Sequence, residues 1–488
     1  MAGTSTAFDS LASGRRLWVV LVVLLALSIR AWVAIDQEIL FNDGPEFLAV
    51  AQYLADGNFR AALANPYHPL TAILIALTSK LGGVGLESAG VIVSVLSGGV
   101  ATAALYLLVR ALFGTSLALL AALFFAVHPQ LVEVASNVQS DGIHLALFLI
   151  GALLAWRALE SKRFAHALGA GILCGLAYLT RPEGLAIGVV LGGWILVDLV
   201  RRRINGRQLA SLVGGFATTL LVFGGPYLVA MHAVKGEWVL SQKKRVIPVE
   251  WSLPEPQRVV ESLADVGASG VGAFRVAFLV LALLAFRRRR PSRPTLYLLS
   301  YVCLLALVLI GLQLQSGYVS GRHWLTAVAL SMPFVAMGAL RLASWLKHAL
   351  PPLRTRPWAV PVSIAVLLLA FIAYDLRPST EPVKRARKQA AEWLRALEPS
   401  AVAAPRRRVA YYAGAARYIS LSQAPERDAF SAWLRSQGAE FVVAEEERLP
   451  PRPPDGHPGL RELHRVEYPG GSVAVLRVER EPGVAGSP

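Results

Sequence analysis

The chain has 488 residues, of which 55% are hydrophobic and only 16% charged, and its mean hydropathy is +0.51. Soluble globular proteins carry about 25% charged residues, so this composition excludes a water-covered fold and makes lipid the main solvent. The formal net charge is +16, from 48 Lys and Arg against 32 Asp and Glu. That surplus sits in short clusters between apolar runs (Arg201 to Arg203, Arg287 to Arg290, Lys347 with Arg354 and Arg356), as positive-inside anchoring requires and a nucleic-acid-binding domain does not.

Roughly 20 apolar residues cross a hydrocarbon core of about 30 Å. In chain order, spans are predicted near 17–35, 88–112, 115–128, 142–160, 166–180 and 184–200. They continue near 208–231, 270–286, 295–314, 323–346 and 358–375, which makes an all-α polytopic protein of about eleven transmembrane helices. The first run follows Arg15-Arg16 without a small-residue cleavage site, so a retained span is expected rather than a removed signal peptide. The apolar piece 69–82 is too short to cross and reads as re-entrant or interfacial.

With Arg15-Arg16 inside, Arg110, Arg157 to Arg163, Arg201 to Arg207, Arg287 to Arg293 and Lys347 to Arg356 all fall on the cytoplasmic side. The carboxy terminus then lies outside. The expected layout is a transmembrane catalytic domain, 1–375, with outer loops 36–87 and 232–269. A small extracytoplasmic α/β domain, 376–480, and a disordered tail, 481–488, follow. In that domain a helix is expected from Val383 to Leu397 and another within Arg427 to Gln437. Strands are expected at Arg408–Tyr412, Phe441–Ala444 and Ser472–Val478. Cys174 and Cys303 form no C-x-x-C pair and read as small core residues. No internal repeat is visible, which weighs against a secondary transporter.

Chemistry-bearing residues collect on the outward side of this count. After the first span comes Asn42-Asp43-Gly44-Pro45-Glu46, where Pro45 suits a helix first turn, Asp43 precedes it and Glu46 lies within it. Asp43 as general base competes with a plain N-cap and first-turn acid. Downstream, Asn65-Pro66-Tyr67-His68-Pro69 turns the chain sharply, and His68 either contacts a phosphate or stays a neutral hydrogen-bonding residue. Asp141, in Gln139-Ser140-Asp141-Gly142, stands at the mouth of a helix, as a cap or a functional acid. Thr180-Arg181-Pro182-Glu183 and Tyr318-Val319-Ser320-Gly321-Arg322-His323 place Arg181 and Arg322 outward, where charge anchoring does not explain them. A guanidinium forks onto two phosphate oxygens, so Arg322 with His323 suits a lipid-linked phosphate. Lys243, in Gln242-Lys243-Lys244-Arg245, adds to the same field.

The order of these motifs resembles the GT-C superfamily of integral-membrane glycosyltransferases, in particular the bacterial protein O-mannosyltransferase and aminoarabinose transferase group. The resemblance covers residues 15–375. It implies an enzyme that moves a sugar, with inversion, from a polyprenyl-phosphate donor to a cell-envelope acceptor at the outer face of the cytoplasmic membrane. It further implies Asp43 as catalytic base, Glu46, Asp141 and His68 as acceptor or orienting residues, and Arg322, His323, Lys243 and Arg181 on the donor phosphate. Many members carry two adjacent acids in the first motif, whereas here the acids are Asp43 and Glu46, which weakens the case for a metal. No cofactor is expected, and no His/Cys cluster has zinc spacing. The expected partners are the lipid-linked sugar, the bilayer and the acceptor, without nucleic acid. A flippase of lipid-linked glycans, or a scaffold with an external binding domain, is the alternative.

Overall fold

A computed structural model describes residues 15–37, 39–241, 256–286, 291–376, 381–425, 429–449 and 459–479. The described residues fall into two compact units, one drawn from Met1–Ile35 and Glu46–Arg377, the other from Asp36–Pro45 and Pro378–Pro488.

The first unit is helical. It opens with α1 (Arg15–Asp36), α2 (Gly44–Ala55), α3 (Phe59–Ala64) and α4 (Leu70–Gly82). The long α5 (Leu86–Phe113) is followed by α6 (Thr115–Ala126), α7 (Pro129–Val134), α8 (Asp141–Ser161) and α9 (Phe164–Tyr178). A 3-10 turn, Pro182–Leu185, leads into α10 (Ala186–Val200), and then come α11 (Gly206–Lys235), α12 (Pro256–Phe274) and α13 (Val276–Leu284). The unit closes with α14 (Arg293–Ser316), a second 3-10 turn at Gly321–Trp324, α15 (Leu325–Ala349) and α16 (Ala359–Asp375).

Seven helical segments among the described residues are long and apolar enough to cross a membrane, or eight if α12 and α13 form one broken span. The helices at 70–82, 115–126, 164–178 and 359–374 are apolar but shorter. The protein is therefore a multi-pass, mostly helical membrane protein. Every predicted span overlaps a helix, but 270–286 is not one straight rod. The chain bends by 92° between α12 and α13, at Arg275, whose φ is +58°. Loop 232–269 also differs from expectation, since α12 occupies its second half. Lys243 and Trp251 lie outside the described residues, as does the tail 481–488.

Inside this unit Phe124, Phe148, Phe278, Phe334, Tyr297 and Tyr301 are fully buried where α6, α8 and α13 to α15 meet. Between helices in lipid, close packing replaces the hydrophobic drive, and small residues permit it. At Gly338 the helices approach so closely that a Cβ would fall on the Leu281 carbonyl. Several basic residues expected to be anchors converge on one carboxylate. Lys162 and Arg293 each reach the fully buried Asp198 at 2.7 Å. The Arg293 guanidinium stands over the rings of Trp156 and Trp194, 5.7 and 5.5 Å from their centroids. Cys174 is buried, but Cys303 is exposed on its apolar helix rather than a core residue.

The second unit is α/β. After α17 (Pro382–Arg395) come β1 (Ala401–Ala404), α18 (Arg407–Tyr412), β2 (Arg417–Ser420) and α19 (Phe430–Ser436). β3 (Phe441–Glu445), β4 (Leu460–Tyr468) and β5 (Gly471–Val478) complete a sheet of order β2-β1-β3-β5-β4. β1 runs parallel to β2 and β3, while β5 is antiparallel to β3 and β4. α17 packs on β4 and β5, with Trp393 stacked on His464 at 4.6 Å. The segment 408–412 is helix, not the strand expected from its apolar alternation, because Val409 and Tyr412, three apart, bury together beside β1. β1 is four small buried residues, a central parallel strand without the alternation that marks a half-exposed one.

Candidate active site

Asp141 is the first residue of α8 and is 2% exposed. Ser140 precedes it without a side-chain cap, and Asp141 is not a cap either. Its two oxygens bind two guanidiniums: Oδ1 accepts from Arg181 Nη1 at 2.6 Å and Oδ2 from Arg322 Nη2 at 2.7 Å. The same Arg322 nitrogen donates to Gln139 Oε1, and Arg181 Nη2 donates to Glu183 Oε1 at 2.9 Å. Two carboxylates thus balance two guanidiniums in a site drawn from three distant stretches of sequence. Charge-assisted pairs of this kind are strong and directional.

Local sequence puts each member in place. Pro182 cannot continue α9 and opens the 3-10 turn instead. Gly184 lies so close to the backbone of Ala177 and Tyr178 that a Cβ would clash with both, so the chain doubles back at this point. Arg181, extended at φ −158°, is thereby aimed at Asp141 rather than out of the helix end. On the other side, Ser320 and His323 form a capping box at the 3-10 turn that carries Arg322.

The histidines around this cluster have defined roles. Thr180 donates its single hydroxyl proton to the Ala177 carbonyl at 2.5 Å, so its 3.1 Å contact with His144 Nδ1 is an N–H donated by the imidazole. Among the described residues, no hydrogen bond reaches His144 Nε2, which is then a buried acceptor. His323 Nδ1 accepts the Ser320 N–H at 3.1 Å, which leaves the proton of the neutral ring on Nε2.

His68 lies beside Tyr178 and Tyr227, with ring centroids 5.3 and 5.2 Å away, and is 6% exposed. Leu70 N–H donates to the Leu179 carbonyl at 2.9 Å, which ties this turn to the start of the Thr180 break. Among the described residues, neither ring nitrogen of His68 makes an aligned hydrogen bond, nor does the Tyr227 hydroxyl. Burial pushes the His68 imidazole down to about 4, although Glu183 nearby acts to raise it. The ring is therefore neutral at pH 7, with one nitrogen a donor and the other an acceptor.

That shift has a measurable consequence. Between about 4 and 6.5 the unfolded chain binds a proton at His68 that the folded chain refuses, so stability rises with pH across this window. Acidification from pH 6.5 to 4 is expected to lower the unfolding temperature in detergent, with a ceiling of about 3 kcal/mol from this residue. In the His68→Asn variant the pH slope over that window should be visibly flatter. An unchanged slope rules the assignment out.

Glu46 and Asp43 have local partners of their own. Glu46 Oε2 accepts from Asn65 Nδ2 at 3.0 Å, and Asn65 Oδ1 takes the Tyr67 N–H, so Glu46 fixes the turn that carries His68. Asp43 immediately precedes α2, in a turn closed by Gly44 N–H to Phe41 O at 3.0 Å, and belongs to the second unit. Gln139, His144, Thr180, Tyr178 and Tyr227 were not anticipated. A signal existed for His144, one turn after Asp141 in an apolar helix where a polar side chain is costly. Among the described residues, no group of three or more His, Cys, Asp or Glu side chains is arranged to hold a metal ion.

Residues 65–226 match the family model described as dolichyl-phosphate-mannose-protein mannosyltransferase. No curated protein matches the sequence significantly. The fold is similar to that of ArnT from Cupriavidus metallidurans in the apo state, at 18% identity and TM-score 0.61, covering 95% of this chain and 98% of that one. ArnT bound to undecaprenyl phosphate matches at 14% identity and TM-score 0.60, over 96% and 99% of the two chains. The oligosaccharyltransferase of Archaeoglobus fulgidus matches at 14% identity and TM-score 0.58, over 88% and 69%. At these identities the likeness is one of fold, shared along most of the chain with these solved structures.

Proposed function

We propose that this protein is an inverting glycosyltransferase that moves a sugar from a polyprenyl-phosphate donor to a cell-envelope acceptor. The observation that carries this reading is the Asp141 carboxylate holding Arg181 and Arg322 side by side at a helix start, in a chain with this fold. Asp43 takes the acceptor hydroxyl proton as its oxygen attacks the anomeric carbon. The bond from that carbon to the phosphate oxygen breaks, and its electron pair leaves with the polyprenyl phosphate. Arg322, Lys243 and the Nε2–H of His323 bind that phosphate as charge develops on it, with Arg181 in support. Preorganised donors cost no reorganisation at that moment, and the Asp141 carboxylate supplies the preorganisation. Neutral His68 orients a hydroxyl, and Glu46 holds the turn from which it projects.

The proposed topology has eleven spans: the seven long helices, the broken pair α12–α13, and α6, α9 and α16. The amino terminus is then cytoplasmic, and residues 1–375 form the catalytic domain in the cytoplasmic membrane, with the carboxy-terminal domain outside. Two measurements test this reading. Membranes containing the native protein should transfer labelled sugar from a polyprenyl-phosphate donor into an envelope acceptor, and absence of transfer across a panel of donors counts against it. A reporter fused after residue 376 should read extracytoplasmic; a cytoplasmic signal places the site on the wrong face.

A further inference from the structure

The Asp43 segment is built into the carboxy-terminal unit by its backbone. Leu40, three residues before Asp43, donates its N–H to the Tyr412 hydroxyl at 2.9 Å. Its carbonyl accepts from Arg408 Nη1 at 3.1 Å. Arg408 and Tyr412 are four apart on α18 and so present to one side of the helix. All three residues are buried, at 2% exposure for Leu40, 8% for Arg408 and 7% for Tyr412. Burial of the guanidinium also lowers its pKa, a cost that one carbonyl contact on a random surface loop would not justify. The Tyr412 ring is held in turn by the Lys388 ammonium, 4.8 Å from its centroid. From Leu40 the chain passes at once into the Phe41–Gly44 turn that carries Asp43.

We propose that Arg408 and Tyr412 are positioning residues, which clamp the Leu40 peptide and thereby set the place of the Asp43 carboxylate. This rests on the reading of Asp43 as the base, and it gives the carboxy-terminal unit a part in the transfer reaction. Reactive groups must be held to about 0.5 Å, and a misplacement of about 1 Å can cost about a hundredfold in rate. A clamp on the N–H and the C=O of one residue, which lie in two successive peptide groups, fixes orientation as well as distance.

The test uses the full-length protein in detergent or nanodiscs. Tyr412→Phe keeps the ring and removes only the acceptor of the Leu40 N–H. It should lower kcat about tenfold while KM for the lipid-linked donor stays constant, and Arg408→Met with Tyr412→Phe should approach a hundredfold. Amide exchange in residues 37–43 should rise in Tyr412→Phe, with the sheet strands unchanged. A general loss of packing would lower the active fraction and raise exchange in the sheet strands as well, whereas loss of the clamp raises it only around Leu40. Unchanged exchange, or an unchanged kcat in the double variant while Asp43→Asn is inactive, overturns the clamp and leaves the base standing. If Asp43→Asn transfers as well as the native chain, the base reading fails and the clamp's catalytic role falls with it. Should Arg408→Met not fold, Tyr412→Phe alone carries the test.

Discussion

Asp43→Asn should transfer sugar about 10²- to 10⁴-fold more slowly than the native chain, with little change in KM for the lipid-linked donor. Asn matches Asp in shape and can still precede α2, so the Phe41–Gly44 turn survives. What it loses is the capacity to take a proton. A lipid phosphate leaves as a stable anion without a protein acid, so base assistance to the attacking hydroxyl is the larger catalytic contribution open to a single side chain. A group that acts on the acceptor in the transition state lowers kcat and kcat/KM together. The measurement is initial rate of label transfer against donor concentration, in matched amounts of folded protein. Undiminished transfer removes Asp43 from the reaction.

Asp141→Asn should be nearly as damaging, for a different reason. It leaves the half-buried Arg181 and Arg322 beside each other without the buried carboxylate they share. Removing one partner from a buried ion pair costs about 3–5 kcal/mol, because the remaining charge is uncompensated. Arg181 keeps Glu183 and Arg322 keeps Gln139, so the loss falls short of complete collapse. The expected result is a lower unfolding temperature together with lost transfer. Pairing Asp141→Asn with Arg322→Gln separates the two effects. The charge balance is restored, so stability should recover in part, while activity stays absent because the phosphate has lost its guanidinium. Recovery of both would mean that Asp141 serves the fold alone.

Much of the helical order was legible because a membrane imposes one simple rule: about 20 apolar residues cross a core of about 30 Å. The rule failed where length and straightness part company. The break at Arg275 turns a predicted span through 92°, and its local mark is the Arg itself inside an apolar run. In the carboxy-terminal unit, β1 is too small and uniformly buried to alternate, and 408–412 has strand-like residues in a helix. There, packing against neighbours overrides local preference.

At the site, residue types and positions were readable, and partners were not. Asp141, Arg181 and Arg322 stood out one by one as ionisable groups where hydrocarbon makes charge expensive. Their meeting on one carboxylate joins positions 40 and 181 apart in sequence, which one chain read without its fold cannot reveal. Glu46 illustrates the same limit: its place in a helix first turn was readable, and its bond to Asn65 was not. By itself, then, the sequence determined the solvent, the succession of helices and the polar residues worth attention, because these depend on local composition. Only the tertiary structure decided which charges neutralise each other and which unit holds Asp43, because hydrogen bonds between distant segments depend on where the folded backbone aims each side chain.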